Sequence, residues 1–390
     1  MASTFRQISK LNFGILNKVI KQQLIYNGNR TLYDESSLGL DNYKSIRNIV
    51  TEKYKVGIDA FKAKMHESVA DEKAMIFTED LKAVLHLTEK KPEDIELLVK
   101  MLEKYNCQNA EMRFGTFKFG PIVMRALHYM NEPDIALDLF MNTKYDEFFN
   151  QLSSFLVLLD LLYENKKYKE VLNAYDKIKL KFVSGISHPK LVINLVAVSC
   201  YKENTKESLE YGLKICKDLH DRGSIPLRKC IAALGGLALN LKMPHVTLEL
   251  CSLSKTSDYI SVRCLRIMAL ADLDRIDDIV IEIKAILKRG PPEKNQFYSD
   301  VITRIEEAIK RLNIGEDEEI CQLLKVLQSQ GYVLSMTFDE HISLTMKTIT
   351  KENQPMTGRY QSSSWSDAPR NNNYERHNNP NYYSHGRMAE

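Results

Sequence analysis

Shifted by 35 residues, the chain matches itself over two consecutive apolar segments. Residues 118–131 (KFGPIVMRALHYMN) fall on residues 153–166 (SSFLVLLDLLYENK) without a gap, and residues 135–140 fall on residues 170–175. Both segments carry apolar residues at helical spacing: Leu152, Phe155, Leu156, Leu159 and Leu162 share one face, as do Ile95, Leu98, Val99 and Leu102 upstream. A match that holds through two helices and the turn between them is the mark of a helix-pair repeat, because each pair buries its apolar face only against the next. Further pairs follow, and equivalent first-helix positions fall at Pro121, Leu156, Asn194, Ala232 and Cys264, in steps of 35, 38, 38 and 32. Strand-like alternation is sustained nowhere, and Pro92, Pro133, Pro244 and the RGPP run at 289–292 punctuate the helices. The expected class is all-α, an α-solenoid of antiparallel helical pairs.

The charge along the chain is uneven. Residues 1–33 hold Arg6, Lys10, Lys18, Lys21 and Arg30 and no Asp or Glu, with Leu11, Ile15, Val19 and Leu24 able to share a face. That is the composition of a mitochondrial transit peptide, and no apolar run long enough for a secretory signal is present. The formal charge of +3 over 390 residues then separates into a basic leader and a body from Asp34 with 49 Lys and Arg against 51 Asp and Glu, a charge of −2. Bulk charge therefore argues against a histone-like binder, and any affinity for nucleic acid depends on where cations sit. No stretch approaches the roughly 18–20 apolar residues of a membrane span. The seven cysteines lie scattered among aliphatic residues without a C-x-x-C spacing, as buried thiols of a reducing compartment do. Residues 351–390, rich in Asn, Tyr and Arg and nearly free of aliphatic side chains, are expected to form a disordered tail.

Phosphate-loop, dinucleotide, nucleophile-elbow and zinc-protease motifs are all missing from the sequence. The nine His stand apart from one another at metal spacing, and carboxylate pairs such as Asp277/Asp278 sit at helix starts, where the dipole accounts for them. No catalytic residue, metal ligand or cofactor is nominated. The expectation is a binding protein, not an enzyme.

The repeat residues FKFGPIVMRAL, SSFLVLLDLLYENKKYKEVLNAYDKIK, CYKENTKES and PLRKCIAALGGLALN resemble those of the mitochondrial pentatricopeptide repeat-containing protein 2 family. The likeness covers about residues 77–334 and is closest over 153–179. It implies a non-catalytic RNA-binding protein of the mitochondrial matrix, acting in mitochondrial RNA maturation and mRNA processing and so in respiratory chain function. Partners are then single-stranded mitochondrial RNA and RNA-processing proteins; the alternative is a helical-repeat scaffold for protein interactions in the matrix. The layout is a transit peptide over 1–33, a helical lead-in over 34–77, a solenoid of about six pairs over 78–350 with its best-formed repeat at about 150–184, and the tail over 351–390.

Base-reading repeats place a short polar side chain at the specifying first-helix position. Among the five aligned positions Asn194 alone has that character. Phosphate contact needs cations instead, and Lys166, Lys167 and Lys169 lie in one turn within a local excess of +4 over residues 166–181. Arg228, Lys229, Arg263 and Arg266 stand at the starts of two later first helices. These eight residues are the candidate RNA contacts.

Overall fold

The structure, a computed structural model, describes residues 32–108, 117–181, 185–254, 259–292 and 295–346. The tail and all but the last two residues of the transit segment lie outside them. The described residues form eighteen α-helices, one short 3₁₀ helix (Thr143–Tyr145) and no strand. After the short α1 (Glu35–Leu38) come α2 (Leu40–Tyr54), α3 (Ile58–Ala70), α4 (Thr78–Leu87), α5 (Pro92–Cys107), α6 (Gly120–Met130), α7 (Pro133–Met141), α8 (Leu152–Glu164) and α9 (Tyr168–Leu180). The second half holds α10 (Lys190–Glu203), α11 (Lys206–Asp221), α12 (Arg228–Asn240), α13 (Pro244–Ser252), α14 (Ile260–Asp272), α15 (Ile276–Arg289), α16 (Ser299–Leu312), α17 (Glu319–Ser329) and α18 (Phe338–Ile342).

The even-numbered helices from α2 to α16 stack on one another in order, and the odd-numbered ones from α3 to α17 flank them. This is the α-solenoid. Seven pairs lie between Thr78 and Ser329, and α2/α3 form an eighth in the lead-in.

The repeat is also written in the backbone. Asn131, Lys166, Asn204, Lys242, Asp274 and Asn313 all have φ between +53° and +60°, and each sits in the turn joining the two helices of a pair. In five of the six turns the next residue's N–H reaches back to the first helix, as in Glu132 to Leu127 and Lys167 to Leu162, while the left-handed residue's own N–H takes another carbonyl of the last turn. The left-handed positions are 35, 38, 38, 32 and 39 residues apart, so the steps read from the apolar pattern recur in the turns.

Second helices bury a single stripe, such as Val171, Ala174, Tyr175 and Ile178 on α9. First helices in the middle of the stack differ, with α10 burying every residue from Val192 to Tyr201 and α12 every residue from Cys230 to Leu239. Neighbouring first helices cover two sides and second helices a third. What covers the inner face is the chain itself.

Candidate nucleic-acid interface

Two short segments from opposite ends of the described chain meet on the inner face of α8, α10 and α12. Tyr33 and Met346 pair as a parallel β-bridge: Met346 N–H donates to Leu32 O at 2.8 Å and Asp34 N–H to Met346 O at 3.2 Å. Leu32 and Tyr33, the last two residues of the expected transit segment, are 0% and 1% exposed, so removal of a leader through residue 33 would take part of the folded body with it, and a leader that leaves this fold intact ends before Leu32. Their N–H groups donate to Asp160 Oδ1 in α8, and Tyr33 Oη donates to Leu191 O at the start of α10. The C-terminal segment reaches the bridge by way of α18, whose Phe338 fills the space above Gly236; a Cβ at Gly236 would lie 2.4 Å from the Phe338 ring. We call the two segments together the strap. They occupy the face on which a repeat of this kind would present its reading positions.

Beneath the strap a compact polar cluster anchors the first segment. Asp160 is fully buried, and its Oδ2 lies 3.4 Å from His128 Nε2, which is 3.7 Å from Glu164. Burial pushes the Asp160 carboxyl up against the pull of His128 and the two N–H groups, and lifts Glu164 to about 7. Burial also works against the charged imidazole of His128, but the hydrogen bond and charge of Asp160 hold its pKa above the usual value. The ligand atoms of the three lie within 4.8 Å of one another, the spacing of a candidate cation site. In the structure those atoms serve one another and the strap.

Beside the strap, at the N-terminal ends of α10, α12 and α14, the inner face opens into a cleft of about 870 Å³. Lys190, Arg228 and Lys229 line it together with Asn194, Tyr259 and His341, and no Asp or Glu is among its described lining residues. The Arg228 guanidinium lies 4.3 Å from the Tyr259 ring centre. Among the described residues Lys229 Nζ donates to the strap carbonyls of His341 and Leu344, at 3.4 and 3.2 Å. Burial, with Arg228 and Lys202 nearby, draws its pKa down to about 8. Burial and the same cleft cations press His341 to about 4, so it stays neutral. Asn194 is 4% exposed and its Oδ1, a buried atom, has no hydrogen-bond partner among the described residues. Three cations at the starts of α10 and α12, with the start of α14 beside them and no described carboxylate in the lining, form a setting that favours an anion.

Three of the eight sequence candidates, Asn194, Arg228 and Lys229, thus converge on the cleft. The other five lie elsewhere. Arg263 is buried, donating to Gln296 O at 2.9 Å and stacked on Phe297, and Arg266 pairs with Glu282. Lys167 pairs with Asp134 of the preceding repeat at 2.5 Å and Lys169 with Glu203 of the following one at 3.6 Å, while Lys166 takes the left-handed turn position. The local charge excess there joins turn to turn along the stack. Of the aligned reading positions, Leu156, Asn194, Ala232 and Cys264 are all buried and Pro121 half-buried, and only Asn194 and Ala232 line the cleft. Lys190 was missed, although it starts α10 as Arg228 starts α12, 38 residues on. The repeat register alone would have found it; nothing local marks Tyr259 or His341.

No helix among the described residues is long and apolar enough to cross a membrane. No family model matches the chain. Curated proteins do. A Mus musculus protein is 31% identical over 170 residues, covering 43% of this chain and 42% of its own length. One from Danio rerio is 25% identical over 280 residues, 70% of each chain, and one from Homo sapiens 24% identical over 243 residues, 60% of this chain and 61% of the human one. Each is named pentatricopeptide repeat-containing protein 2, mitochondrial. The match to the mouse protein spans less than half its length, whereas the zebrafish match runs through most of the solenoid. Stacked helix pairs with a period in the thirties and these matches agree, and the chain is similar to proteins named pentatricopeptide repeat-containing protein 2, mitochondrial, over up to 70% of its length.

Proposed function

We propose that the protein binds single-stranded RNA in the mitochondrial matrix and acts without catalysis in the maturation of mitochondrial transcripts, and so in respiratory chain function. One observation carries the reading: a cleft of about 870 Å³ in a body of net charge −2 is lined by three cations and no described carboxylate. A phosphate backbone is the ligand that rewards such local charge, because each neutralised phosphate releases counterions. Tyr259 under Arg228 adds a stacking surface of the kind unpaired bases use. The basic, acid-free start of the chain and the mitochondrial designation of its relatives support the address. Burial of the aligned first-helix positions favours contact through phosphate and shape over a base-by-base code.

Ultraviolet crosslinking in isolated mitochondria tests this reading, with Arg228→Glu/Lys229→Glu compared against Lys167→Glu/Lys169→Glu. RNA recovery should collapse in the first pair and persist in the second; recovery no higher than background from the unaltered protein ends the RNA reading. The strap favours one second reading. The first-helix face already holds polypeptide in extended form, so a scaffold that seats a peptide of an RNA-processing partner uses geometry the fold displays. Retained partner binding with no RNA would select it.

A further inference from the structure

Within the RNA reading, on which this step rests, we infer that the cleft seats a phosphorylated end of the strand, not an internal stretch. Closure is the first reason. His341, Leu344 and Met346 wall the cleft on its inner side, and beyond that wall Leu32 and Tyr33 lie on α8 and α10. A strand entering at the helix N-termini meets the strap instead of running on across the first helices. The volume is that of a pocket for a compact ligand, inside the roughly 300–1,000 Å³ range of such sites.

Charge is the second reason. A terminal phosphomonoester carries about −1.5 to −2 at neutral pH, against a single charge on an internal phosphodiester. Arg228 and Lys229 follow one another at the start of α12, where free backbone N–H groups add to their field, and Lys190 faces them from α10. Lys229 is held among carbonyls with no described carboxylate within ion-pair distance, an arrangement that a doubly charged group completes better than a singly charged one. Asn194, more than nine-tenths buried, lines the same cleft; its Oδ1 has no partner among the described residues and is itself closed to solvent, so it meets a bound group only after its side chain turns.

Binding of the full chain to short single-stranded RNAs of one sequence separates the possibilities: a 5′-phosphate, a 3′-phosphate, hydroxyls at both ends, and a closed circle. One phosphorylated form should bind roughly tenfold tighter than the hydroxyl form and the circle, the advantage of a second charge on paired cations. Arg228→Gln/Lys229→Met should erase that preference while keeping weaker general binding. Arg228→Gln alone, at an exposed residue, should reduce it with the helical signal unchanged. Equal affinity for the circle and the phosphorylated strands overturns end recognition and leaves RNA binding standing. A preference that survives in the double variant places the end elsewhere and overturns the inference. Failure of every RNA to bind overturns this inference and the RNA reading together.

Discussion

At the scale of the residue, two kinds of position govern this fold. The first is the left-handed turn residue. Asn131, Asn204, Asp274 and Asn313 have side chains that tolerate positive φ, but Lys166 (φ 59°) and Lys242 (φ 60°) do not gain from it. Lys242→Gly should therefore stabilise the protein by about 1 kcal/mol, read as a higher urea midpoint at unchanged slope, because glycine adopts this conformation without the Cβ clash. An unchanged or lower midpoint would mean that the turn is not under strain. The second kind is the buried polar anchor. Asp160→Ala would orphan the N–H groups of Leu32 and Tyr33 and the His128 ring at once. The expected loss is about 3 kcal/mol, well above that of an ordinary surface change. Neither role was visible in the sequence: Asp160 is one acidic residue inside the apolar run VLLDLL, and its partners lie 32 and 128 residues away.

At the scale of the element, the helices were legible and the strap was not. Apolar spacing found the pairs because period and burial are the same signal in an amphipathic helix, whereas the burial of every residue over 192–201, Asn194 and Ser199 included, and over 230–239 is a finding of the structure. The covering segments are too short for any period: three residues at 32–34 and a five-residue helix with the turn after it. They are recognised only by what they fill. Gly236→Val would put a side chain where the Phe338 ring lies, so amides of residues 338–346 should exchange faster with solvent while those of α8 and α10 stay protected. Uniform protection would show that the strap is held without that contact. Protonation acts on the same element. Glu164, facing His128, Asp160, Glu35 and Lys44, keeps a proton in the folded state up to about pH 7, and His128 also has a raised pKa. Groups that bind protons more tightly when folded contribute stability that is complete at low pH and lost as pH rises, here between about 4.5 and 7 for Glu164. The stability of the unaltered protein relative to Glu164→Gln should fall across that window; a flat difference would mean the carboxyl titrates as if exposed.

At the scale of the whole solenoid, local pairing and long-range closure set different behaviours. A repeat array whose units touch only their neighbours tends to fray from its ends and to unfold piecemeal. Here the bridge between Tyr33 and Met346 spans nearly the full described length, and Lys202 to Asp339 at 2.7 Å adds a second long-range tie. Urea unfolding should accordingly be a single transition seen alike by helical signal and tyrosine fluorescence, and Tyr33→Ala with removal of residues 333–390 should split or broaden it. Coincident sharp transitions in the shortened chain would show that closure adds no cooperativity. The charge pattern was readable at this scale only as an instruction to look locally: a body of −2 says nothing for RNA, yet its cations gather where three helix starts converge. The same closure bears on the order of events in the molecule's making. Leu32 and Tyr33 precede every repeat in the chain and Met346 follows them all, so the first segment can settle on α8 and α10 once those helices form, whereas the bridge that locks it closes only after the last repeat. During that interval the face of α12 around Gly236, which Phe338 later covers, stands open to water and to any extended peptide nearby. A chain in which residues 338–346 have not yet docked thus keeps an apolar patch on its inner face, and the docking of that segment removes it.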